Sequence, residues 1–292
     1  MEPNFWRGKR VFVTGHTGFK GRWLITWLGM LGAEVSGYSL PHRVEHSRGV
    51  ETAVARNTDI VIHMAAQAIV SKGYDDPLGT FETNTKGTYN ILDEVTRWPR
   101  VKAVLVVTSD KADTSDTDPY TVSKRAASDI ATCYRESYGF PVAEARAGNV
   151  IGGGDWSENR LIPDIMRAKE ADKHIPTLLK LRQPESIRPW QHVLDCLNGY
   201  LTVIERLWET DKAAKIWHVG PLECSTTAAE IVSFFNCPCV IEMKEETFRE
   251  RKILNIATDF VPKLNTRQAL GWTKIEYAGA SMESEIERYM KL

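Results

Sequence analysis

The chain has almost no surplus charge of either sign. Thirty-seven Lys and Arg against 38 Asp and Glu leave a formal net charge of -1 over 292 residues. Proteins that coat nucleic acid or an anionic membrane carry a basic excess, and no local basic run supplies one here. Long hydrophobic runs are also missing: no apolar stretch approaches the roughly 18 to 20 residues of a membrane span. Met1 to Lys9 mixes acid, aromatic and base without an apolar run, so no signal peptide is expected and the predicted location is cytoplasmic. Cysteine is sparse and odd in number. Cys133, Cys196, Cys224, Cys237 and Cys239 are too scattered for a disulfide framework. Cys237-Pro238-Cys239 has no two further soft ligands at zinc spacing, so it reads as reduced thiols around a turn, and no metal is expected. There is no internal repeat and no low-complexity tract.

What remains is an ordinary globular composition, 42 % hydrophobic and 26 % charged. In the first half, short β-rich runs alternate with helical patterns. Strands are expected at Arg10–Thr14, Glu34–Tyr38, Ile60–Met64, Lys102–Thr108 and Val142–Ala147. Helices are expected at Lys20–Leu31, Thr80–Trp98 and Thr121–Tyr138. Near-continuous apolar strands alternating with helices predict an α/β fold, a Rossmann-type doubly wound parallel sheet covered on both faces. Only Pro41 to Asp59 joins the second strand to the Ile60 strand, so a third strand there is expected to be short or absent. Residues 1–150 are the expected dinucleotide-binding domain. Residues 151–292 are a smaller α/β substrate-binding region, not strictly contiguous, whose strands can return to the main sheet. Helices there are expected at Ile162–Lys169, Val193–Trp208, Thr226–Phe235 and Tyr277–Met290, with strands at Ile216–Val219 and Val240–Met243.

Gly15-His16-Thr17-Gly18-Phe19-Lys20-Gly21 is a GxxGxxG pattern between a strand and a helix. Glycines let the backbone turn and approach a pyrophosphate, and the helix N-terminus supplies N–H groups and a positive dipole end. The acid that holds an adenosine ribose at the end of strand two is missing. Gly37 to Arg43 stands there instead. Arg43 is either a ligand of the 2′-phosphate of NADP or a solvated loop residue, so NAD and NADP both remain open.

Tyr120-Thr121-Val122-Ser123-Lys124 is YxxxK at a helix start, with both side chains on one helical face. An ammonium beside a phenol favours the phenolate. The pair can take a hydroxyl proton while hydride leaves the same carbon. Ser109, after the preceding strand, supplies a hydroxyl partner. Asp110-Lys111 is either an acid and base for an elimination or a solvated loop pair.

Several blocks resemble the CDP-glucose 4,6-dehydratase family of extended short-chain dehydrogenases/reductases. They are Asn4-Phe5-Trp6, Gly15 to Gly21, His63-Met64-Ala65-Ala66-Gln67, Thr108-Ser109-Asp110-Lys111, Asp118-Pro119-Tyr120, Arg146 to Trp156, Ser186 to His192 and Leu270-Gly271-Trp272. The resemblance implies an NAD-dependent lyase acting on a nucleotide sugar, in which the cofactor is regenerated each turnover. It implies Ser109, Asp110, Lys111, Tyr120 and Lys124 as catalytic residues: Tyr120 as the base at the sugar 4-hydroxyl, Lys111 at C5 and Asp110 as the acid at the 6-hydroxyl. It implies cofactor contacts from Gly15, Thr17, Gly18, Phe19, Lys20, Gly21, Ala65, Ala66, Gln67, Thr108, Tyr120 and Lys124. Asn149 and Arg188, with Arg160, would hold the substrate diphosphate. Trp190 reads as packing. A homodimer or higher homo-oligomer is implied through the helices near 80–98 and 121–138. Two departures stand out. Family members carry Cys-Tyr and a longer loop after the Asp-Lys pair, where this chain has Ala112 to Thr117, and the segment after strand two is shortened. The alternatives are a sugar-nucleotide 4-epimerase or 4-ketoreductase of the same fold, which needs no acid for a 6-hydroxyl, and a non-catalytic nucleotide-sugar binder.

Overall fold

Val11-Phe12-Val13 and Ile60-Val61-Ile62 are β-branched or aromatic runs buried on both faces, as strands inside a covered parallel sheet must be. The computed structural model describes residues 2, 4–38, 57–170, 178–221, 225–241, 259–260 and 262–292. The chain divides into two compact units, residues 1–147 with 197–219, and residues 148–196 with 220–292.

The first unit holds strands β1 (Arg10–Thr14), β2 (Glu34–Tyr38), β3 (Ile60–His63), β4 (Ala103–Val107), β5 (Val142–Ala147) and β9 (Ile216–Val219). They form one sheet in the order β2-β1-β3-β4-β5-β9, every pairing parallel. This is the doubly wound sheet the sequence predicts. Helix α1 (Phe19–Met30) buries Trp23, Leu24, Trp27 and Leu28 at helical spacing. Helix α5 (Pro119–Tyr138) starts on an Asp118 cap, with Pro119 in its first turn, and stops at Gly139 in the left-handed region. Among its core residues, Phe12, Val61, Ile91, Leu92, Val104, Ala131 and Val142 pack into one cluster.

The single helix expected over 80–98 is three consecutive pieces, with one more helix before them. Helix α2 (Val70–Asp75) comes first, then α3 (Pro77–Phe81), a π-helical turn over Glu82–Lys86, and α4 (Gly87–Val95). Pro77 lacks an N–H, so it starts a helix, and Asp76 caps it by accepting from Gly79 N–H. In the π turn the Gly87 N–H reaches the Glu82 carbonyl, one residue farther than in an α-helix.

The second unit contains helices α6 (Leu161–Glu170), α8 (Ala228–Phe234), α9 (Thr266–Tyr277) and α10 (Met282–Met290). The parallel pairs β6 (Val150–Ile151) with β8 (Gln191–His192) and β7 (Leu179–Leu181) with β10 (Cys239–Ile241) complete it. Helix α7 (Val193–Glu209) begins in this unit and belongs to the first from Leu197 onward. The helix expected over Tyr277–Met290 is corrected: α9 ends at Tyr277, Gly279 takes a left-handed φ of 107°, and Ser281 caps a new helix. Asn265 and Gln268 form a capping box at the start of α9.

Candidate active site

In a parallel sheet all strands end on one edge, and the loops there are where α/β proteins place ligands. The loop from Gly15 to Gly21, the residues Ala65, Ala66 and Gln67 after β3, and Thr108, Ser109, Asp110 and Lys111 after β4 all lie on this edge. Gly15 has φ +73°, and a Cβ there would lie 2.8 Å from Ala65 N. A Cβ on Gly21 would lie 2.2 Å from the Gly15 carbonyl oxygen. These two glycines are required by the protein itself. Gly18 is different: its Cβ direction meets only the Gly15 oxygen, at 3.3 Å, and the residue is exposed. Helix α1 follows with no side-chain cap, so its first-turn N–H groups face the space beside Gly18. Open space, exposed glycine and uncapped N–H groups fit a pyrophosphate. Thr17 is exposed, while Phe19 and Lys20 are half-buried. The Lys20 ammonium donates to Tyr200 Oη at 3.0 Å. Arg43 lies outside the described residues.

A hydrogen-bonded chain ties this loop to the helix carrying the tyrosine. Thr88 Oγ1 donates to the Asn84 carbonyl (2.7 Å), so it can only accept from His63 Nε2, at 3.0 Å. His63 Nδ1 then accepts from Thr14 Oγ1 (2.7 Å), which itself accepts from the N–H groups of Met64 and Ala65. Burial pushes the His63 imidazole down to about 3, with the nearby Lys124 charge adding to it, so the ring is neutral. The buried Asn84 side chain accepts from Gln67 N–H (2.8 Å) and donates to Ser123 Oγ (2.9 Å) on α5.

The structure brings the predicted catalytic residues of the first unit together. A 3-10 turn, Asp110–Asp113, follows Ser109 and packs against α5. Ser109 Oγ donates to Asp110 Oδ1 at 2.8 Å, and the Lys111 N–H donates to the same oxygen at 2.9 Å. Tyr120 and Lys124 are buried one turn apart on α5. Lys124 Nζ donates to the Val107 carbonyl (3.2 Å) at the end of β4. Burial pushes the Lys124 ammonium down to about 7, Lys20 lowers it further, and Glu144 opposes both. An amine with that value holds and releases a proton near neutrality. Thr108 Oγ1 points into the core and donates to Glu144.

Asn149, Arg160 and Arg188 lie in the second unit. The Asn149 carbonyl accepts from Gln191 N–H (3.0 Å), which fixes it at the β6–β8 pair. Arg160 faces Asp155 at 3.6 Å, and Arg188 is buried.

Sequence reasoning missed a charged cluster centred on β5. Glu144, fully buried on β5, accepts from Arg146 Nε (2.8 Å) and Ser128 Oγ (2.7 Å) as well as Thr108. Arg146 also donates to Asp113, which faces His218 Nε2 at 3.0 Å. Two charges two residues apart in an otherwise apolar strand, both on one face, were the available signal.

Residues 11–220 match the model of the NAD dependent epimerase/dehydratase family. The chain belongs to this family. A CDP-glucose 4,6-dehydratase of Salmonella typhimurium is 39 % identical over 278 residues, covering 80 % of this chain and 76 % of that protein. A GDP-6-deoxy-D-mannose reductase of Pseudomonas aeruginosa is 25 % identical, over 72 % of this chain and 74 % of its own. The fold is shared with the UDP-glucose 4-epimerase of Thermus thermophilus in complex with NAD, at TM-score 0.78 and 22 % identity over 93 % of this chain and 100 % of that one. It is also shared with the dTDP-glucose 4,6-dehydratase of Bacillus anthracis in complex with NAD, at TM-score 0.75 and 18 % identity over 93 % of this chain and 97 % of that one.

Membership in an NAD-dependent epimerase/dehydratase family agrees with the cradle at Gly18. Gly18→Val places a branched side chain where the phosphates would lie and is expected to abolish NADH binding, read by cofactor fluorescence, with the circular dichroism of the folded chain retained. Unchanged affinity would overturn the cradle. His63 gives a second expectation. Unfolded, it binds a proton near 6.5, and folded, near 3, so between these values the unfolded chain holds the extra proton. The stability from the neutral ring is present above about 6.5 and is lost as pH falls toward 3. On lowering the pH from neutrality, the wild-type melting temperature should fall more steeply than that of His63→Gln. Parallel declines would count against the neutral buried ring.

Proposed function

We propose that the protein is a sugar-nucleotide 4,6-dehydratase that converts CDP-glucose to CDP-4-keto-6-deoxyglucose and water. The observation that carries this reading is the packing of the Asp110–Asp113 turn against the helix bearing Tyr120 and Lys124. A proton relay for oxidation and a carboxyl–amine pair for elimination then share one sheet edge. The similar Salmonella protein bears the name of this activity.

Tyr120, with the Lys124 amine a turn behind it, takes the proton of the sugar 4-hydroxyl, and Ser109 orients that oxygen. The nicotinamide cofactor, which Gly15, Gly18, Gly21 and the first turn of α1 would hold, would supply the redox chemistry by taking up and giving back a hydride. The C4 ketone acidifies the C5 hydrogen, which Lys111 removes. Asp110 protonates the 6-hydroxyl, and the C6–oxygen bond breaks with release of water. Lys111 then returns a proton to C5, Tyr120 gives the 4-hydroxyl proton up to solvent and Asp110 regains one from it. Asn149, Arg188 and Arg160 hold the diphosphate, the planar guanidinium fork matching phosphate oxygens. The cofactor is NAD, with NADP as the alternative if Arg43 takes a 2′-phosphate. The enzyme works in the cytoplasm.

Asp110→Asn keeps the shape of the side chain and removes the acid. It is expected to slow product formation by about 10² to 10⁴ while absorbance of reduced cofactor accumulates. Tyr120→Phe is expected to give no reduced cofactor at all. Full dehydration by Asp110→Asn would assign the proton to another group. Wild-type product with the 18-unit mass loss of dehydration supports the reading, and a product of unchanged mass favours epimerisation.

We also propose a homodimer through α3, α4 and α5. Tyr89 and Tyr138 are 49 % and 71 % exposed there, and Phe81, Tyr89 and Ile130 line a surface groove of about 450 Å³. Light scattering at micromolar concentration should read twice the 33.0 kDa chain mass. A species at the single-chain mass would refute the dimer.

A further inference from the structure

A four-residue 3-10 turn is a weak support for catalytic groups, because its hydrogen bonds are few and poorly aligned. The turn after β4 closes on two backbone bonds, Ala112 N–H to the Ser109 carbonyl and Thr114 N–H to the Lys111 carbonyl, each 3.0 Å. Thr114 Oγ1 and the Lys111 N–H add bonds within the turn, and Asp113 ties it to the sheet. That carboxylate accepts from Arg146 Nη1 and faces His218 Nε2 at 3.0 Å, so the turn is anchored to β5 and β9 at once.

Charge balance does not require this anchor. Arg146 is already neutralised by Glu144, which is fully buried and lies 2.8 Å from Arg146 Nε. Arg146 Nη2 also donates to Ser128 Oγ at 2.6 Å. Asp113 is the outer partner, with its side chain 41 % exposed, and can keep much of its hydration without Arg146. Its pairing therefore fixes geometry more than it offsets burial. Farther along, Arg125 donates to the carbonyls of Thr114 and Asp116, which holds the rest of the short connection to α5.

We propose that Asp113 is a positioning residue that, through Arg146 and His218, fixes the turn bearing Asp110 and Lys111. It thereby sets the rate of the elimination half of the reaction and leaves the oxidation half alone. The inference rests on the dehydratase reading for its kinetic consequence. Oxidation depends on Tyr120 and Lys124, which sit on α5 with their own cap and their own bond to Val107, and on Ser109, which precedes the turn beside Thr108, whose N–H is held by the Ala145 carbonyl on β5. Elimination depends on a donor and an acceptor three and two residues before Asp113. A displacement of about 1 Å at such groups costs up to about 100-fold.

The test is Asp113→Asn in the cofactor-loaded enzyme, mixed rapidly with CDP-glucose. Reduced cofactor should form at the wild-type rate and then accumulate, while product forms about 10-fold more slowly. Asp113→Glu, which keeps the charge, should recover part of the product rate. Product formation at the wild-type rate, or an equal fall in both steps, would overturn the inference. If the wild-type enzyme reduces no cofactor with CDP-glucose, the dehydratase reading fails, and hydrogen–deuterium exchange decides the anchor alone. Exchange in the 109–114 segment should quicken in Asp113→Asn with that of α5 unchanged. Unchanged exchange in 109–114 would remove the positioning role.

Discussion

The carboxamide of Asn84 is the interaction on which the candidate site depends. It is buried, and it makes bonds in two directions, to the backbone of Gln67 and to Ser123 on α5. Its own backbone carbonyl takes the hydroxyl of Thr88, which closes the line through His63 to Thr14 at the mouth of the glycine loop. The glycine loop, the loop after β3 and the tyrosine helix are therefore one hydrogen-bonded assembly. The π turn gives this residue its setting. An extra residue in a helical turn breaks the regular i→i+4 pattern locally, and such turns recur at functional sites.

A second polar cluster lies beside the first, with a different energetic character. Burying Glu144 and Arg146 costs desolvation of two charges, which their attraction offsets only with good geometry and full hydrogen bonding. Here Glu144 receives bonds from Arg146, Ser128 and Thr108. The arrangement links β4, β5 and α5 through side chains as well as through the sheet. Lys124 feels Glu144 as a counter-charge against its own burial. The cluster thus touches Lys124 electrostatically and the Asp110–Asp113 turn mechanically.

How much of this was legible depends on which physical rule governs each segment. Arg10–Thr14, Glu34–Tyr38, Val142–Ala147 and Ile216–Val219 are the strands the sequence predicts, residue for residue. Each is a short β-rich run between turn-forming residues. The glycine loop and the Tyr120–Lys124 pair were legible because spacing alone places them. The break near residue 82 was not, since apolar periodicity continues across a π turn and the extra residue leaves no compositional mark. The α9–α10 boundary carries a sequence mark, Gly279 and Ser281, although helical periodicity runs across it. The roles of His63, Asn84 and Thr88 depend on pairings across 17 to 49 residues of sequence distance or on a helical irregularity, neither of which a single sequence displays.

Strand β9 has a consequence for how the chain is made. The sheet takes β9 beside β5, although residues 148–196 of the other unit intervene in sequence. During synthesis at about 5–20 residues per second, several seconds separate completion of β5 from completion of β9. Through that interval β5 is an edge strand with unpaired backbone groups on its outer side, the kind of edge that invites pairing with another chain. A charged pair, Glu144 and Arg146, sits in the middle of this temporary edge. Charges on an edge strand oppose association with a foreign strand. The same two residues that tie the finished protein together thus guard the nascent one against aggregation until β9 emerges.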